Sequence, residues 1–217
     1  SGSYLAREEG VRVKHWVEEN SIKMYDKHGS VLRVETTVNN ARRFKVRRMT
    51  EHKGVRGMRW IPMRLAVSDL ERRLEVSRAA NERYLEALAV VDMPCPAAEV
   101  LDKISEGVVK NNRRYRALRP VSEADAKAFK AVLDGRFLLK GFANRQVREL
   151  LEAEPPADDR ERRRASGRTT RLIRLLRAHG LIRKISGTRY YRVTAHGQTT
   201  MTAALKLRKA DISTLGA

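Results

Sequence analysis

The first third of the chain alternates between apolar and polar residues with a period of two. Because successive side chains of a strand point to opposite faces, this alternation predicts strands that bury one face. His28-Gly29 lies where a turn between two strands is required, and the polar stretch 51–57 is predicted as a loop. We expect a small antiparallel sheet with four strands. The predicted strands are residues 11–17, 21–27, 31–38 and 44–48.

A helical period replaces this alternation after residue 67. Ser68 and Glu71 form a capping-box pattern, with serine at the N-cap. A helix of about 24 residues, roughly 36 Å long, is expected to follow, and Pro94-Cys95-Pro96 would end it. Ser77 and Asn81 interrupt its apolar stripe at heptad spacing, which a dimerising coiled coil could use. We favour packing on the sheet, because that is the commoner use of such a stripe. The apolar positions are Leu70, Leu74, Tyr84, Leu88 and Val91.

The middle of the chain contains two shorter helical patterns separated by a basic stretch. The first covers residues 96–106, and the second begins at the cap Ser122 and extends to about Leu133. Between them, residues 110–120 are rich in Arg and Asn and end at Pro120. This composition favours an arm or a linker.

From Gly141 onward the pattern predicts helix, helix, two strands and helix. Asn144 is expected to cap the first helix. Residues 155–164 are predicted to form a charged loop before the second helix. Gly180 has the position of a C-terminal cap. The first helix turns Val147, Leu150 and Leu151 inward. The second turns Thr169, Leu172, Ile173 and Leu176 inward and Arg164, Arg168, Arg171, Arg174 and Arg177 outward.

Two strands and a last helix complete this pattern. The strands are predicted at residues 181–185 and 190–193, around a tight turn at 186–188. Thr194 then caps a helix that extends to about Ala210. The predicted fold class is α+β, with a small sheet and a long packing helix before these elements. The expected divisions are a cut point within residues 1–10, a sheet with helices over 11–109, a basic linker over 110–121, and helices with the C-terminal domain over 122–217.

Charge restricts the function more than any other property of the composition. The chain of 217 residues has 46 Lys and Arg against 26 Asp and Glu, a formal net charge of +20. Residues 1–64 have a net charge of +8, residues 65–140 of +2, and residues 141–217 of +10. Such an excess favours a polyanion partner that contacts the two ends of the chain.

Other features of the composition exclude several classes of protein. Cys95 is the single cysteine, which excludes an intramolecular disulfide and a thiolate-rich zinc site and favours a reducing cytoplasm. No apolar run approaches the roughly 18 residues of a membrane span. Ser1-Gly2-Ser3 is typical of a cleaved tag, and a strand pattern begins at Val11 without a lead-in, so we expect the chain to be a piece of a longer protein. We expect no cofactor and no membrane association.

The stretch LLRAHGLIRKISGTRYYRVTAHG, residues 175–197, resembles a recognition helix and wing of the winged-helix DNA-binding domains of bacterial regulators. The resemblance covers about residues 141–210 and implies double-stranded DNA binding. Gly167 is a departure that costs about 1 kcal/mol within a helix and could instead mark the start of the helix. The implied groove contacts are Arg164, Ser166, Arg168, Thr169, Arg171 and Arg174, with Arg189 and Arg192 on the wing. The basic stretch adds Lys110, Arg113, Arg114 and Arg116 as candidate phosphate contacts.

Two weaker resemblances concern the first third. The run from NSIKMYDK through VLRVETT to RRLEVSRAANERYLEAL resembles a group of longer bacterial proteins that end in a domain of this kind. IKMYDK and LRVE also resemble a strand pair of rolling-circle replication initiators, which nick DNA with a tyrosine beside metal-binding acids. That resemblance implies Tyr25 and Glu35 as catalytic candidates. Without a His-x-His metal pair, we expect both to be cross-strand partners instead, and we expect no metal site.

Three functions remain open at this point. The preferred one is sequence-directed binding of double-stranded DNA by the C-terminal part of a larger protein. The second is the DNA-recognition part of a nicking enzyme or transposase of a mobile element. The third is RNA binding, in which Trp16, Tyr25 and Phe44 would supply stacking surfaces. A homodimer is a candidate assembly.

Overall fold

The computed structural model describes residues 2–7, 10–27, 31–89, 96–152 and 154–210. It has the predicted α+β fold, with helices and small antiparallel sheets. The chain divides into two compact units, one of residues 1–85 with 138–140 and one of residues 86–137 with 141–217. The division falls near residue 85, whereas the sequence predicts a linker over residues 110–121 between the two parts. Among the described helices, none has the length and apolar composition of a membrane span.

A four-stranded antiparallel sheet in the order β1-β2-β3-β4 forms the centre of the first unit. Its last three strands lie where the sequence predicts them, but burial does not alternate along β4, since Leu32 is 53% exposed. The first strand was not predicted, because residues 1–10 were interpreted as a cut point; it depends on pairing with β2, from Gly2 opposite His15 to Arg7 opposite Gly10. The strands are β1 (Gly2–Arg7), β2 (Gly10–Val17), β3 (Asn20–Lys27) and β4 (Val31–Thr37).

A separate hairpin follows, formed by β5 (Lys45–His52) and β6 (Val55–Pro62). The prediction of a fourth strand within the first sheet and of a loop at 51–57 was wrong. Lys53 and Gly54 both have positive φ, 53° and 76°, as a two-residue type I′ turn requires. Lysine is an uncommon first residue for that turn, so its sequence does not indicate the hairpin.

Helix α1 (Leu70–Ala89) begins after a 3₁₀ turn at Val67–Asp69. Ser68 lies inside that turn, so the predicted capping box was wrong. The buried carboxylate of Asp69 fixes the turn instead, since it accepts the backbone N–H of Arg64 at 2.7 Å and pairs with the guanidinium of Arg48.

Helix α1 packs on the sheet through its second half. Asn81 accepts a hydrogen bond from the Thr36 hydroxyl at 2.7 Å and donates to the Val34 carbonyl at 3.2 Å. The ring of Tyr84 lies 5.7 Å from that of His15, between centroids. Packing of α1 on the sheet is therefore confirmed, and Asn81, which interrupts the apolar stripe, hydrogen-bonds to two residues of β4. Leu70 and Leu74 remain exposed. His28-Gly29, Val91 and Pro94-Cys95 lie outside the described residues, whereas Pro96 precedes the next helix as its N-cap.

The second unit begins with α2 (Ala97–Leu101), the hairpin β7 (Val108–Lys110) and β8 (Arg113–Tyr115), and α3 (Glu123–Val132). The basic stretch predicted as a linker is thus mostly a hairpin. Its turn residues Asn111 and Asn112 have φ of 51° and 56°, which asparagine tolerates better than most residues. Ser122 caps α3 as predicted, with its hydroxyl accepting the N–H of Asp125.

The predicted order of helix, helix, two strands and helix is present in the rest of this unit. Its core contains Phe129, Phe142, Val147, Leu176 and Met201, all fully buried. Strand β10 also pairs with Phe142 through two backbone hydrogen bonds to Tyr191, of 2.9 and 2.8 Å. The elements are α4 (Asn144–Leu151), α5 (Asp159–Ala178), β9 (Ile182–Lys184), β10 (Tyr191–Val193) and α6 (Ala195–Lys209).

Helix α5 starts earlier than its apolar pattern indicates. Asp158 is its N-cap and accepts the N–H of Glu161 at 2.6 Å, while Glu161 accepts the N–H of Ala157 at 2.8 Å. This local capping arrangement makes the last part of the predicted charged loop, residues 155–164, helical. Gly167 is consequently inside the helix and does not mark its start.

Two glycines fix the packing around the short strands. Gly141 has a φ of +85°, and a Cβ there would overlap the carbonyl oxygen of Tyr191. A Cβ at Gly197, in the first turn of α6, would overlap the carbonyl of Leu181. The hydroxyl of Thr194 caps that turn at 2.9 Å from the Gly197 nitrogen, and Gly180 takes positive φ after α5; both were predicted.

Candidate nucleic-acid interface

Helix α5 presents a stripe of arginines to solvent. Arg160, Arg164, Arg171 and Arg174 are all exposed, and their spacing of i, i+4, i+11 and i+14 places them on one face. Gly167 occupies the i+7 position of the same stripe and leaves its middle free of a side chain. We call these four arginines the α5 stripe.

Thr169 lies on the opposite side of α5 and cannot contact DNA. It is 2% exposed, and its hydroxyl donates to the Ala165 carbonyl at 3.1 Å. The apolar spacing placed Thr169 inward, and that prediction is confirmed; the groove contact implied by the winged-helix resemblance is wrong.

Ser166 connects α5 to α4. Its hydroxyl donates to Oδ1 of Asn144 at 3.3 Å, and the Asn144 amide donates to the Ser166 carbonyl at 3.0 Å and to Thr170 Oγ1 at 2.9 Å. Asn144 was predicted as a helix cap, but the N-cap is Ala143, which donates its backbone N–H to the side-chain oxygen of Gln146. Asn144 and Ser166 therefore hold the two helices together.

A groove of about 860 Å³ between α4 and the start of α5 has nearly balanced charge. Arg145 pairs with Glu149 at 2.8 Å, and Arg168 pairs with Glu152 at 2.9 Å. Glu154 lines the groove as well. Because carboxylates repel phosphate, this groove is a weaker anion site than the α5 stripe, and Arg168 is partly neutralised.

The outer face of α5 has no such compensation. Within the described part of the chain, no carboxylate forms an ion pair with Arg164, Arg171, Arg174 or Arg177. The guanidinium of Arg171 lies beside Gly167, since a Cβ there would be 3.9 Å from Nη1. The face therefore has an uncompensated positive charge along several turns.

The β9–β10 hairpin places two arginines opposite each other. Arg192 pairs in register with Arg183, and Nε of Arg192 is buried without a hydrogen-bond partner in the described part of the chain. Burial lowers the pKa of Arg192, and the charge of Arg183 lowers it further. Like charges directly opposite on a sheet are destabilising. An anion bound beside the pair would remove that repulsion.

Arg189 and Arg183 extend this basic hairpin. Arg189 is exposed at the tip, with its guanidinium 5.9 Å from the ring centroid of Tyr190. Arg183 and Lys184 are exposed on β9 but were not among the predicted contacts. Counting residues outward from a turn centred between Gly187 and Thr188 places Arg183 opposite Arg192.

The β7–β8 hairpin contributes a smaller set of basic groups. Arg113 and Arg114 are exposed, and Lys110 reaches the end of α5, with Nζ 3.4 Å from the Arg177 carbonyl oxygen. Arg116 is used differently, because its guanidinium donates to both oxygens of Asp125, at 2.9 and 2.6 Å. We therefore remove Arg116 from the candidate phosphate contacts.

Asp125 is buried under this contact, and Arg119 also donates its backbone N–H to it at 2.8 Å. Burial raises the pKa of Asp125, but the hydrogen bonds from Arg116 and Arg119 outweigh that effect and the pKa is lowered overall. The same ion pair raises the pKa of Arg116. Asp125 and Arg116 thus stabilise the start of α3.

The two catalytic candidates of the first unit form a cross-strand cluster. Tyr25 donates its hydroxyl to Oε1 of Glu35 at 2.7 Å, and Lys23 pairs with Oε2 at 2.7 Å. Arg33 lies 3.0 Å from Oε1. Tyr25 and Asp26 are adjacent on β3 and point to opposite faces. The geometry is that of the predicted scaffold pair.

The electrostatics of this cluster also favour a structural role. The hydrogen bond to Glu35 raises the pKa of the Tyr25 hydroxyl, which makes it a poorer nucleophile. The hydrogen bonds from Lys23 and Tyr25 lower the pKa of Glu35. In the part of the chain that is described, no group of three His, Cys, Asp or Glu side chains could hold a metal ion.

No family model, curated protein or solved structure matches this chain. Its function must therefore be inferred from geometry and charge.

Proposed function

We propose that the second unit binds double-stranded DNA through the α5 stripe and the β9–β10 hairpin. The observation that carries this proposal is the uncompensated row of exposed arginines on a helix whose other side is buried. An α-helix with its side chains is about 10–12 Å across, and the major groove of B-DNA is about 12 Å wide. The stripe thus has the size and the charge for that groove.

The order of elements supports a winged-helix mode of docking. In such domains a recognition helix enters the major groove and the following hairpin contacts the adjacent backbone. Here α5 would be the recognition helix and β9–β10 the wing. Gly167, in the middle of the stripe, would let the helix backbone approach the base edges closely.

Phosphate contacts fall to the basic groups around this helix. Arg183, Arg192 and Arg189 would hold the backbone beside the wing, and Arg113 and Arg114 would add contacts from the β7–β8 hairpin. Arginine within the stripe supplies bidentate donors that match the guanine edge. We assign the base contacts to Arg164, Arg171 and Arg174, and give Arg168 a smaller role because of Glu152.

The larger setting is a separate hypothesis. The resemblance of the first third to proteins of replication and mobile elements suggests that this chain is the DNA-recognition part of a longer cytoplasmic protein. A homodimer would present two such helices to a palindromic site. The exposed Leu70 and Leu74 of α1 are candidates for that contact.

Selection of bound sequences from a random duplex library tests the proposal. We expect an enriched motif, and the affinity for it should fall with salt with a slope near −5 in log–log form if about six phosphates are contacted. The double variant Arg171→Ala/Arg174→Ala should lose the preference for the motif. The control Arg78→Ala removes an exposed arginine of α1, paired with Glu82, and should retain it. A library that yields no motif, together with a slope shallower than about −2, would refute the proposal.

A further inference from the structure

The sheet of the first unit has one covered face and one open face. The covered face includes Ile22, which is fully buried, and Thr36, which bonds to Asn81 of α1. Alternation along the strands places the open-face residues on the other side. The register aligns them in three rows: Arg12, Tyr25 and Arg33; Lys14, Lys23 and Glu35; and Trp16 with Thr37, on either side of the buried Ser21.

The open face has a net positive charge. Among the side chains of this face that the structure describes, Arg12, Lys14, Lys23 and Arg33 are cationic and Glu35 is the one carboxylate. Lys23 and Tyr25 already satisfy that carboxylate, at 2.7 Å each. Arg33 shares the same carboxylate, with Nε 3.0 Å from Oε1. One carboxylate therefore faces four cations, and the net positive charge that remains favours an anionic partner.

Two aromatic rings lie among these cations. Trp16 is 39% exposed, with Nζ of Lys14 3.7 Å from its ring centroid. Tyr25 is half-buried, with Nζ of Lys23 4.9 Å from its ring centroid. The hydrogen bond from its hydroxyl to Glu35 fixes the orientation of the Tyr25 ring.

The two rings are too far apart to contact the same base. Ser21 is the register partner of Trp16 and precedes Tyr25 by four positions on β3, a separation of about 13 Å at about 3.3 Å per residue. Each ring would therefore hold a different base, with basic side chains between them to hold the connecting phosphates.

We propose that the open face binds single-stranded nucleic acid, with Trp16 and Tyr25 stacking on bases and with Arg12, Lys14 and Arg33 on phosphates. A sheet with interleaved aromatic and basic residues suits unstacked bases, whereas a duplex hides its base faces. Base–aromatic stacking is stronger than an exposed cation–π contact. A base can therefore displace Lys14 from the Trp16 ring, and the released ammonium can bind the phosphate.

This site is independent of the α5 stripe, which belongs to the other unit. Single-stranded DNA and RNA share the chemistry that the face recognises, since both present base faces and phosphates. Only the 2′-hydroxyl distinguishes them, so both strands belong in the test.

The test uses the intrinsic fluorescence of Trp16 in the full chain. The chain has two tryptophans, and Trp60→Phe leaves Trp16 as the only tryptophan. This variant should be titrated with oligothymidylate and oligouridylate of about 12 nucleotides, within the site sizes of single-strand binders. We expect saturable quenching of Trp16 with either strand, because a stacked base lies directly on the ring.

Variants then separate stacking from general charge. Trp16→Ala and Tyr25→Ala should each weaken single-strand binding about 5- to 100-fold in fluorescence anisotropy with labelled strands. Tyr25→Phe keeps the ring and should bind nearly as the unchanged chain does. Circular dichroism of each variant verifies folding, and Trp60→Phe is the matched aromatic control on the other sheet.

The α5 variant distinguishes failure of this proposal from failure of the duplex proposal. Arg171→Ala/Arg174→Ala should lose duplex selectivity and keep the quenching of Trp16. A preference for DNA or for RNA would identify the strand and support the site. Absence of quenching, or equal affinity of Trp16→Ala and Trp60→Phe for single strands, would overturn it.

Discussion

Arg183 and Arg192 lie directly opposite each other on the β9–β10 hairpin, and Nε of Arg192 is buried without a recorded hydrogen-bond partner among the described residues. Opposed like charges destabilise a sheet by up to about 1 kcal/mol. Repulsion of this kind is removed when a phosphate binds. The pair therefore lowers the stability of the free protein and favours the binding of a phosphate.

The first prediction concerns this repulsion between Arg183 and Arg192. Arg183→Gln should raise the free energy of unfolding by up to about 1 kcal/mol and should weaken duplex binding. Urea denaturation and fluorescence anisotropy measure the two effects. Lys184→Gln removes an adjacent exposed charge from the same strand, without a facing arginine, and is the matched control. If Arg183→Gln instead lowered both the stability and the duplex affinity, Arg183 would form stabilising contacts that outweigh its repulsion with Arg192.

The second prediction concerns the two environments of arginine on α5. Arg171→Ala should weaken binding to the preferred duplex by about 1–3 kcal/mol if Arg171 contacts a base. Arg168→Ala should have a smaller effect, because Arg168 is already paired with Glu152. Glu152→Gln should strengthen duplex binding by releasing Arg168 and removing a negative charge. Competition with unrelated duplexes distinguishes the two kinds of contact: equal weakening on all sequences would reassign Arg171 to phosphate.

The third prediction compares two glycines within helices. Gly167→Ala should stabilise the protein by about 0.5–1 kcal/mol, since alanine favours helix and the space around this position is open apart from Arg171. Gly197→Ala should destabilise it by more than about 2 kcal/mol, because the new Cβ would overlap the Leu181 carbonyl. Thermal denaturation of both variants measures the difference. Similar melting temperatures would mean that α6 can move away from β9 without loss.

Local patterns in the sequence predicted the elements whose signals lie within a few residues. Ser122 and Thr194 cap the starts of their helices and Gly180 follows the end of α5, as predicted, because caps depend on adjacent backbone groups. The turn at Lys53-Gly54 and the strand β1 were missed. The first uses an uncommon residue for its turn, and the second requires pairing with β2.

The site was predictable only in part, for related physical reasons. The helical period located the exposed arginines of α5, but the identity of their ion-pair partners depends on packing against α4. Glu152 and Arg168 are 16 residues apart, and Arg183 meets Arg192 through strand register. Contacts of this kind can be identified only in the three-dimensional structure. Strands β3 and β4 follow each other directly in the sequence, and Tyr25 and Glu35 are 10 residues apart. Their cross-strand contact was therefore predicted correctly.

The fourth prediction concerns pH. The folded-state pKa of Asp125 is lowered, below the ordinary value of about 3.9. Its contribution to stability is therefore complete above pH of about 4 and is lost as the pH falls through the folded-state pKa. At a pH of about 7, where Asp125 is ionised, Arg116→Ala should lower the free energy of unfolding by about 1–3 kcal/mol. The substitution leaves a buried carboxylate with fewer hydrogen-bond donors.

Urea denaturation of the unchanged chain and Arg116→Ala across acidic pH tests this assignment. The difference in unfolding free energy should decrease in acid, where Asp125 binds a proton. Arg113→Ala removes an exposed arginine from the same hairpin and should show little difference at any pH. Loss of duplex affinity in Arg116→Ala without loss of stability would return Arg116 to the phosphate contacts.

The fifth prediction is that Tyr25 and Glu35 perform no strand cleavage in this chain. A nicking site requires its nucleophile and metal-binding acids to converge on one phosphate, but Asp26 points away from Tyr25 on β3. Glu35 already accepts from Tyr25 and pairs with Lys23. Glu35→Gln should lower stability by up to about 1 kcal/mol through loss of these cross-strand contacts. Supercoiled plasmid incubated with the protein and Mg²⁺ or Mn²⁺ should stay intact. Nicking that disappears in Tyr25→Phe would instead make the tyrosine a nucleophile, since that variant keeps the ring and removes only the hydroxyl.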